Sequence, residues 1–302
     1  MGNIKPGQVR VRALFSAISR GTESLVFDGA VPEAEWGRMR APMQEGDFPF
    51  PVKYGYQSVG RVIVGPEDML GHCVFALHPH QTSFDASIDS VTVVPDEIPA
   101  ARATLAGNMQ TALTGLWDAR PAPGDHIAVV GGGVVGLLTA WLCAKIPATS
   151  VMLVDTNPER EEIARDFGLS FAAPSKARGN NDLVIHASAS EAGLETALAL
   201  AGEEAAIVEM SWYGDRAVKL ALGGAFHSRR LRLVASQVGR IPDDHKARWD
   251  FARRNETAMR LLADPRLDRL LETPIPFRDL PQRLPDIFKK DSGILCQLVE
   301  YG

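Results

Sequence analysis

Ile127-Ala128-Val129-Val130-Gly131-Gly132-Gly133-Val134-Val135-Gly136 is the stretch whose reading decides the fold. Four β-prone residues run into a glycine turn, and an apolar helical segment, Val134 to Lys145, follows directly. This is the strand-turn-helix context in which G-x-G-x-x-G binds a dinucleotide. Gly131 permits the tight turn, Gly133 lets the backbone approach a pyrophosphate, and Gly136 lets the helix pack close on the strand. Val134 and Val135 open a helix whose free N–H groups and positive dipole end face the phosphates. Asp155 ends the next strand, Val151 to Val154, about 20 residues beyond the turn, where a carboxylate holds ribose hydroxyls. Its charge disfavours a 2′-phosphate, so NAD is the expected cofactor. Thr156 adjoins it, and the nearby Arg160 keeps NADP open. The competing reading is a glycine turn in an unrelated α/β domain, with Asp155 a neighbour of a helix cap.

Outward from the turn, strands and helices alternate. Asn157 and Pro158 read as N-cap and first position of a helix that Gly168 stops. Leu183 to His186 and Ala206 to Met210 continue the strands, with Leu194 to Ala201 as a helix between them. Such alternation predicts an α/β domain, a doubly wound parallel sheet of Rossmann type. His186 and Ser188 stand at the carboxyl end of one strand and Ser236 and Gln237 beyond another, where the nicotinamide half of a dinucleotide lies. A packed edge histidine is the alternative for His186. Upstream, Val9 to Phe15, Gln57 to Val64, His72 to Leu77 and Ser90 to Val94 are short β-prone runs separated by turns, which suggests a compact, barrel-like β unit. Ala100 to Trp117 reads as one helix. Toward the end, Trp249 to Leu262 reads as a basic amphipathic helix with Arg253, Arg254 and Arg260 on a solvated face, Pro281 to Phe288 as another helix, and Ile294 to Glu300 as a closing strand.

The bulk properties narrow the function classes. A chain of 302 residues suggests about two domains. With 32 basic against 37 acidic side chains there is no electrostatic footprint for nucleic acid. No apolar run is long enough for a membrane span, and no charged-then-apolar leader opens the chain. The three cysteines, Cys73, Cys143 and Cys296, lie far apart in apolar runs and read as buried thiols in a reducing, cytoplasmic setting.

A β-rich first unit, a dinucleotide fold and a mixed tail resemble the medium-chain dehydrogenase/reductase superfamily over nearly the whole chain. Ser16-Ala17-Ile18-Ser19-Arg20-Gly21-Thr22-Glu23 is similar to the segment carrying the first zinc ligand of the zinc-type alcohol dehydrogenases. Gly55-Tyr56-Gln57-Ser58-Val59-Gly60 is similar to their Gly-His-Glu motif, Gly71-His72-Cys73-Val74 to their Gly-Asp-Arg-Val, and Asn108 to Ala112 to the segment of the third ligand. The Ala-Ile-Ser-x-Gly-Thr-Glu run further resembles the subgroup that includes bacteriochlorophyllide hydroxyethyl dehydrogenase. The resemblance implies a GroES-like β-barrel catalytic domain from residues 1–104 and 243–302, and a Rossmann domain from residues 105–242. It also implies a small-molecule substrate between them, no membrane or nucleic-acid partner, and a homodimer or tetramer. The family's opening hairpin has no counterpart before Gln8.

The departures shape the expected chemistry. At the three ligand positions stand Arg20, Tyr56 and Asn108, and a guanidinium, a phenol and an amide do not make a zinc site. No zinc is expected there. His78 and His80 form a His-Pro-His pair that matches no zinc spacing, although His80 remains open to a catalytic role. Without metal, hydrogen-bond donors must stabilise the substrate oxygen while the cofactor carries hydride. Tyr56 is the expected proton donor and Thr22 a substrate contact. Arg20 is expected to tune Tyr56 or hold an anionic substrate, and Glu23 to pair with Arg20; a core tyrosine and a structural ion pair are the bland alternatives. The expected function is zinc-independent, NAD(P)-dependent hydride transfer between nicotinamide and an alcohol or carbonyl. The alternatives are a quinone- or enoyl-type double-bond reductase and a dinucleotide-binding protein without turnover.

Overall fold

Alternation of period two shapes the first long strand, β1 (Gln8–Ile18): Val9, Val11 and Ala13 are buried while Arg10 and Arg12 lie toward solvent. The chain continues through α1 (Arg20–Phe27), a short hairpin of β2 (Glu45–Gly46) and β3 (Val52–Lys53), and then β4 (Ser58–Val64), β5 (Cys73–Ala76), β6 (Ser83–Ser87) and β7 (Val91–Val93). β4 lies antiparallel along one edge of β1, and β6 covers the first part of the other edge. Val9, Val11, Val62, Val74, Phe84 and Ala86 close the core between these strands. The expected helix from Ala100 to Trp117 is in fact two, α2 (Ala100–Ala103) and α3 (Ala106–Ala119). The physical reason is Thr104, fully buried at the break, whose hydroxyl donates back to Ala101 O at 2.6 Å and competes with the helical ladder.

In this computed structural model, which describes residues 4–302, the chain divides into two compact units, Met1–Gly107 with Ala252–Gly302, and Asn108–Phe251. The second unit holds β8 (His126–Val130), α4 (Val134–Cys143), β9 (Ser150–Val154), α5 (Arg160–Asp166), β10 (Ser170–Ala172), β11 (Asn181–His186), α6 (Glu191–Leu200), β12 (Ala201–Glu209) and β13 (Arg232–Ala235). All pairings are parallel, in the order β10-β9-β8-β11-β12-β13. This is the Rossmann order, and it reverses between β8 and β11, which makes that place the switch point where ligands bind. Ile127, Leu153, Ile185 and Ile207 are completely buried, as strands covered on both faces require. Asn157 does not cap α5 directly. Its Oδ1 accepts the Glu159 N–H at 3.0 Å in the turn ahead of Arg160, where the helix begins.

The chain returns to the first unit through α7 (Phe251–Leu261), followed by β14 (Ile275–Pro276), α8 (Leu280–Ile287) and β15 (Gln297–Glu300), which pairs with the second half of β1. Of the three arginines expected on a solvated face of α7, Arg254 is buried, at 4% exposure, and burial lowers its pKa to about 10. Its place on the inner stripe of the helix beside Ala258 explains the reversal. The closing strand begins at Gln297, three residues after the expected Ile294. Among the described residues, no helix is long and apolar enough to cross a membrane.

Candidate active site

The glycine turn leaves β8 at Gly131, whose φ of +113° is open to glycine and strained for any other residue. A Cβ there would stand 2.7 Å from Ser188 N, so the turn lies against the end of β11. A Cβ on Gly136 would stand 1.9 Å from Gly131 O, which is why α4 starts so close to the strand. Gly133 differs, since nothing lies within 4 Å of the position its Cβ would take. It is exposed, it precedes the first turn of α4, and no side chain caps that helix. An open cradle of uncapped N–H groups fits the pyrophosphate of a dinucleotide. Asp155 braces the cradle: Oδ2 accepts the Gly132 N–H at 2.5 Å and Oδ1 the Asn157 N–H at 2.7 Å. An ionised carboxylate offers about four acceptor positions, so room for ribose hydroxyls remains. Thr156 is exposed beside it, and the Arg160 side chain lies within 3.0 Å of where a Gly132 Cβ would stand.

Two strands farther along the same sheet edge, His186 is wholly buried. Its Nδ1 lies 2.7 Å from Glu209 Oε2 and its Nε2 2.6 Å from Ser188 Oγ, which in turn lies 2.9 Å from Ser190 Oγ. Glu209 also accepts from Ser211 N at 2.7 Å and from the Tyr213 hydroxyl at 3.0 Å. Burial disfavours its charge, but the hydrogen bond and charge of His186 and the bonds from Ser211 outweigh that and hold the carboxyl below its usual range. Burial, and then the Glu209 charge, raise the Tyr213 phenol. Ser236 N donates to Glu209 O at 2.9 Å, which brings it to this edge, whereas Gln237 is exposed and its Oε1 accepts the Gly239 N–H at 2.7 Å. Local spacing suggested His186 and Ser188, while Glu209 to Tyr213 reads only as a segment at and beyond a strand end, open to lining a pocket or packing between subunits; strand register ties it to His186, which lies opposite Glu209.

In the first unit a second polar network forms. Glu23, 7% exposed, accepts the Ser19 N–H at 2.7 Å and lies 2.9 Å from His80 Nε2. The other ring nitrogen, Nδ1, lies 2.7 Å from Ser16 Oγ, and Ser16 Oγ lies 2.8 Å from the Tyr301 hydroxyl. Gly55, at φ +116°, makes room for the imidazole, because a Cβ there would stand 2.9 Å from Cδ2 and Nε2 of His80. Next to it, the Tyr56 phenol is pushed up to about 12. Burial comes first among the causes and the Glu23 charge second, while hydrogen bonds from Ser19 and Thr22 pull it back. Tyr54 crosses the Tyr56 ring edge-on at 6.0 Å. The structure therefore groups Tyr56, Thr22 and Glu23 and adds His80, Ser16 and Tyr301.

Arg20 does not belong to that group. Its guanidinium donates to Ile287 O at 2.8 Å, to Lys289 O at 2.7 Å and to Ile294 O, clamping the segment around the end of α8. Glu23 takes His80 in place of the expected Arg20, because a guanidinium committed to three carbonyls has turned away from the carboxylate. Lys53 likewise turns to Glu45 and Gln81, each at 2.5 Å. His78 stacks on Phe84 at 3.9 Å and directs Nδ1 at Pro79 O, and burial lowers its pKa. The two histidines of the His-Pro-His pair thus serve different partners. A zinc centre does not fit these donors. A clamped guanidinium and a phenol held protonated are no ligands, and among the described residues no group of three or more His, Cys, Asp or Glu is placed to hold a metal.

No protein-family model matches the chain. It is 24% identical over 311 residues to the D-guloside 3-dehydrogenase of Escherichia coli (strain K12), covering 92% of this chain and 88% of that one. Among solved structures, galactitol-1-phosphate dehydrogenase from Escherichia coli superposes with a TM-score of 0.78 at 17% identity, over 99% of this chain and 94% of that one. A dehydrogenase from Sinorhizobium meliloti 1021, classed as zinc-binding and bound to NADP, gives a TM-score of 0.77 at 17% identity, over 99% and 93%.

Proposed function

We propose that this chain, which belongs to the medium-chain dehydrogenase/reductase superfamily, oxidises a hydroxyl of a small alcohol or polyol, or reduces the matching carbonyl, with NAD and without zinc. The observation that carries this reading is the turn at the switch point, where Gly133 opens onto the uncapped start of α4 and Asp155 stands at the neighbouring strand end. A bound nicotinamide dinucleotide supplies or accepts the hydride. Gly131 to Gly136 and the first N–H groups of α4 hold its pyrophosphate. Asp155 takes ribose hydroxyls and opposes a 2′-phosphate, with Arg160 moderating that preference. The likeness to polyol- and sugar-acting dehydrogenases supports a hydroxylated substrate.

On the substrate side, Tyr56 is the proton donor. A phenol raised to about 12 stays protonated at working pH, so it gives a hydrogen bond, and then a proton, to a carbonyl oxygen gaining charge. Thr22 positions that oxygen. The Glu23–His80–Ser16–Tyr301 chain moves protons toward and away from the site. Arg20, clamped elsewhere, takes no part. The reading is tested by titrating metal-analysed protein calorimetrically with NADH and NADPH, then screening alcohols, aldehydes and enones in the presence of a chelator. Tighter binding of NADH, with turnover at substoichiometric zinc, is expected. Folded protein that binds neither nucleotide overturns the reading, and turnover that vanishes with the chelator and returns with zinc overturns its metal-free part.

A further inference from the structure

Two carboxylates flank the glycine turn along one sheet edge. Asp155 directly follows β9, the neighbour of β8 on one side, and Glu209 ends β12, two strands away on the other. Each is braced in the same way, by the N–H two residues on, at 2.7 Å in both cases. With strands about 4.8 Å apart, the end of β12 lies about 10 Å from that of β8. A dinucleotide lying across the switch point with its first ribose at Asp155 extends its second half over β11 and β12.

The hydrogen bonds around Glu209 fix its charge. It receives Ser211 N–H at 2.7 Å and the Tyr213 hydroxyl at 3.0 Å, and that hydroxyl also lies 3.4 Å from His186 Nδ1. On the other side Ser190 Oγ accepts the Gly193 N–H that begins α6. A consistent proton assignment then runs from Ser190 to Ser188, from Ser188 to His186 Nε2, and from His186 Nδ1 to Glu209. In that arrangement both ring nitrogens have their partners, and the negative charge of the cluster lies on the Glu209 carboxylate. Arg216, one of two cations on the same loop with Lys219, directs its guanidinium at Tyr213 O and Ala189 O. The Glu209 side chain keeps 14% of its surface exposed, so it is not sealed from a ligand.

Resting on the dinucleotide reading above, we propose that Glu209 faces the nicotinamide half of the cofactor and biases the protein toward the oxidised, cationic ring. Three donors hold the carboxylate ionised, and His186 and Tyr213 position it. The oxidised ring carries one positive charge and the reduced ring none. At a separation of about 10 Å and an effective dielectric of about 20, that difference is worth about tenfold in relative affinity.

The test measures NAD⁺ and NADH dissociation constants separately by calorimetry, at one pH and moderate salt, for the wild type and Glu209→Gln. The wild type is expected to bind NAD⁺ at least as tightly as NADH. Glu209→Gln is expected to lose about tenfold in NAD⁺ affinity and less than twofold for NADH, which moves the potential of the bound two-electron couple up by about 30 mV. A wild type that prefers NADH tenfold or more overturns the proposal whether or not the variant folds. So does a folded Glu209→Gln whose ratio is unchanged, and in that case the dinucleotide reading stands. Wild-type protein that binds neither nucleotide overturns both.

Discussion

Gly133→Ala and Gly136→Ala each add one methyl group to the same turn, and the structure assigns them opposite phenotypes. At Gly136 the new Cβ would sit 1.9 Å from Gly131 O, where a carbon needs about 3.5 Å, so α4 or the turn must move by about 1.5 Å. The obstructing atom is backbone, so relief is poor and the loss falls toward the upper end of about 1–3 kcal/mol. At Gly133 nothing lies within 4 Å, and its φ of −76° and ψ of 177° suit alanine. That variant is expected to match the wild type or gain about 0.4–1 kcal/mol from a less flexible unfolded chain. Its methyl group, however, stands where a pyrophosphate must approach, and a clash of about 1–3 kcal/mol weakens NADH by about 5- to 150-fold. Urea unfolding followed by circular dichroism, with and without NADH, separates the two. NADH at a hundred times its dissociation constant adds about 2.7 kcal/mol to the wild type, and at the same concentration Gly133→Ala should lose about 0.9–2.4 kcal/mol of it. Gly133→Ala that binds NADH as the wild type does would refute the placement of the phosphates, and Gly136→Ala of undiminished stability would refute the packing argument.

Other consequences follow from the first unit. Tyr56→Phe keeps the ring and removes the proposed proton donor, so kcat for carbonyl reduction should fall by about 10²–10⁴, with folding intact by circular dichroism. Wild-type reduction should show no decline across pH 7 to 10 from Tyr56 ionisation, as its phenol stays protonated until about pH 12. All four tyrosines have phenols raised above their ordinary value of 10.0, with burial the first cause in each. A raised folded pKa favours the protonated, folded protein. The stability so contributed is complete below about pH 10 and is lost as pH climbs toward and past 12. Phenolate absorbance should therefore appear together with unfolding, and stepwise ionisation of folded protein would count against the burial. Arg20→Ala leaves three carbonyls without their charged donor. A loss of about 2–4 kcal/mol in denaturant unfolding is expected, and a loss below about 0.5 kcal/mol would show that the clamp does not hold in solution.

What the sequence disclosed depended on distance along the chain. The turn from Ile127 to Gly136 was legible because strand, glycines and helix are contiguous and each has a local physical requirement. The parallel order was legible because helix follows strand in sequence. Arg20 was misread because its direction is set by carbonyls at 287, 289 and 294, far from its own segment. Arg254 was misread because it adjoins Arg253 and shares its charge, and only packing shows which of the two turns inward. His80, Ser16 and Tyr301 come from three separate segments and have no shared spacing to reveal them. Glu209 lay near the end of a predicted strand with no local spacing to tie it to His186, and register sets the two opposite each other.

The pairing of β1 with β15 fixes an order of manufacture. Ser16 meets Tyr301 across 285 residues, so a growing chain makes the first partner long before the second. At about 5–20 residues per second the ribosome leaves β1 half-paired for about 15–60 s. The dinucleotide unit, continuous from Asn108 to Phe251, is complete within that interval and needs no later segment for its own sheet. Chains halted before Gln297 would thus carry a finished parallel sheet and a β unit missing a strand and the Tyr301 hydroxyl. Such fragments would be made able to bind before they are able to react.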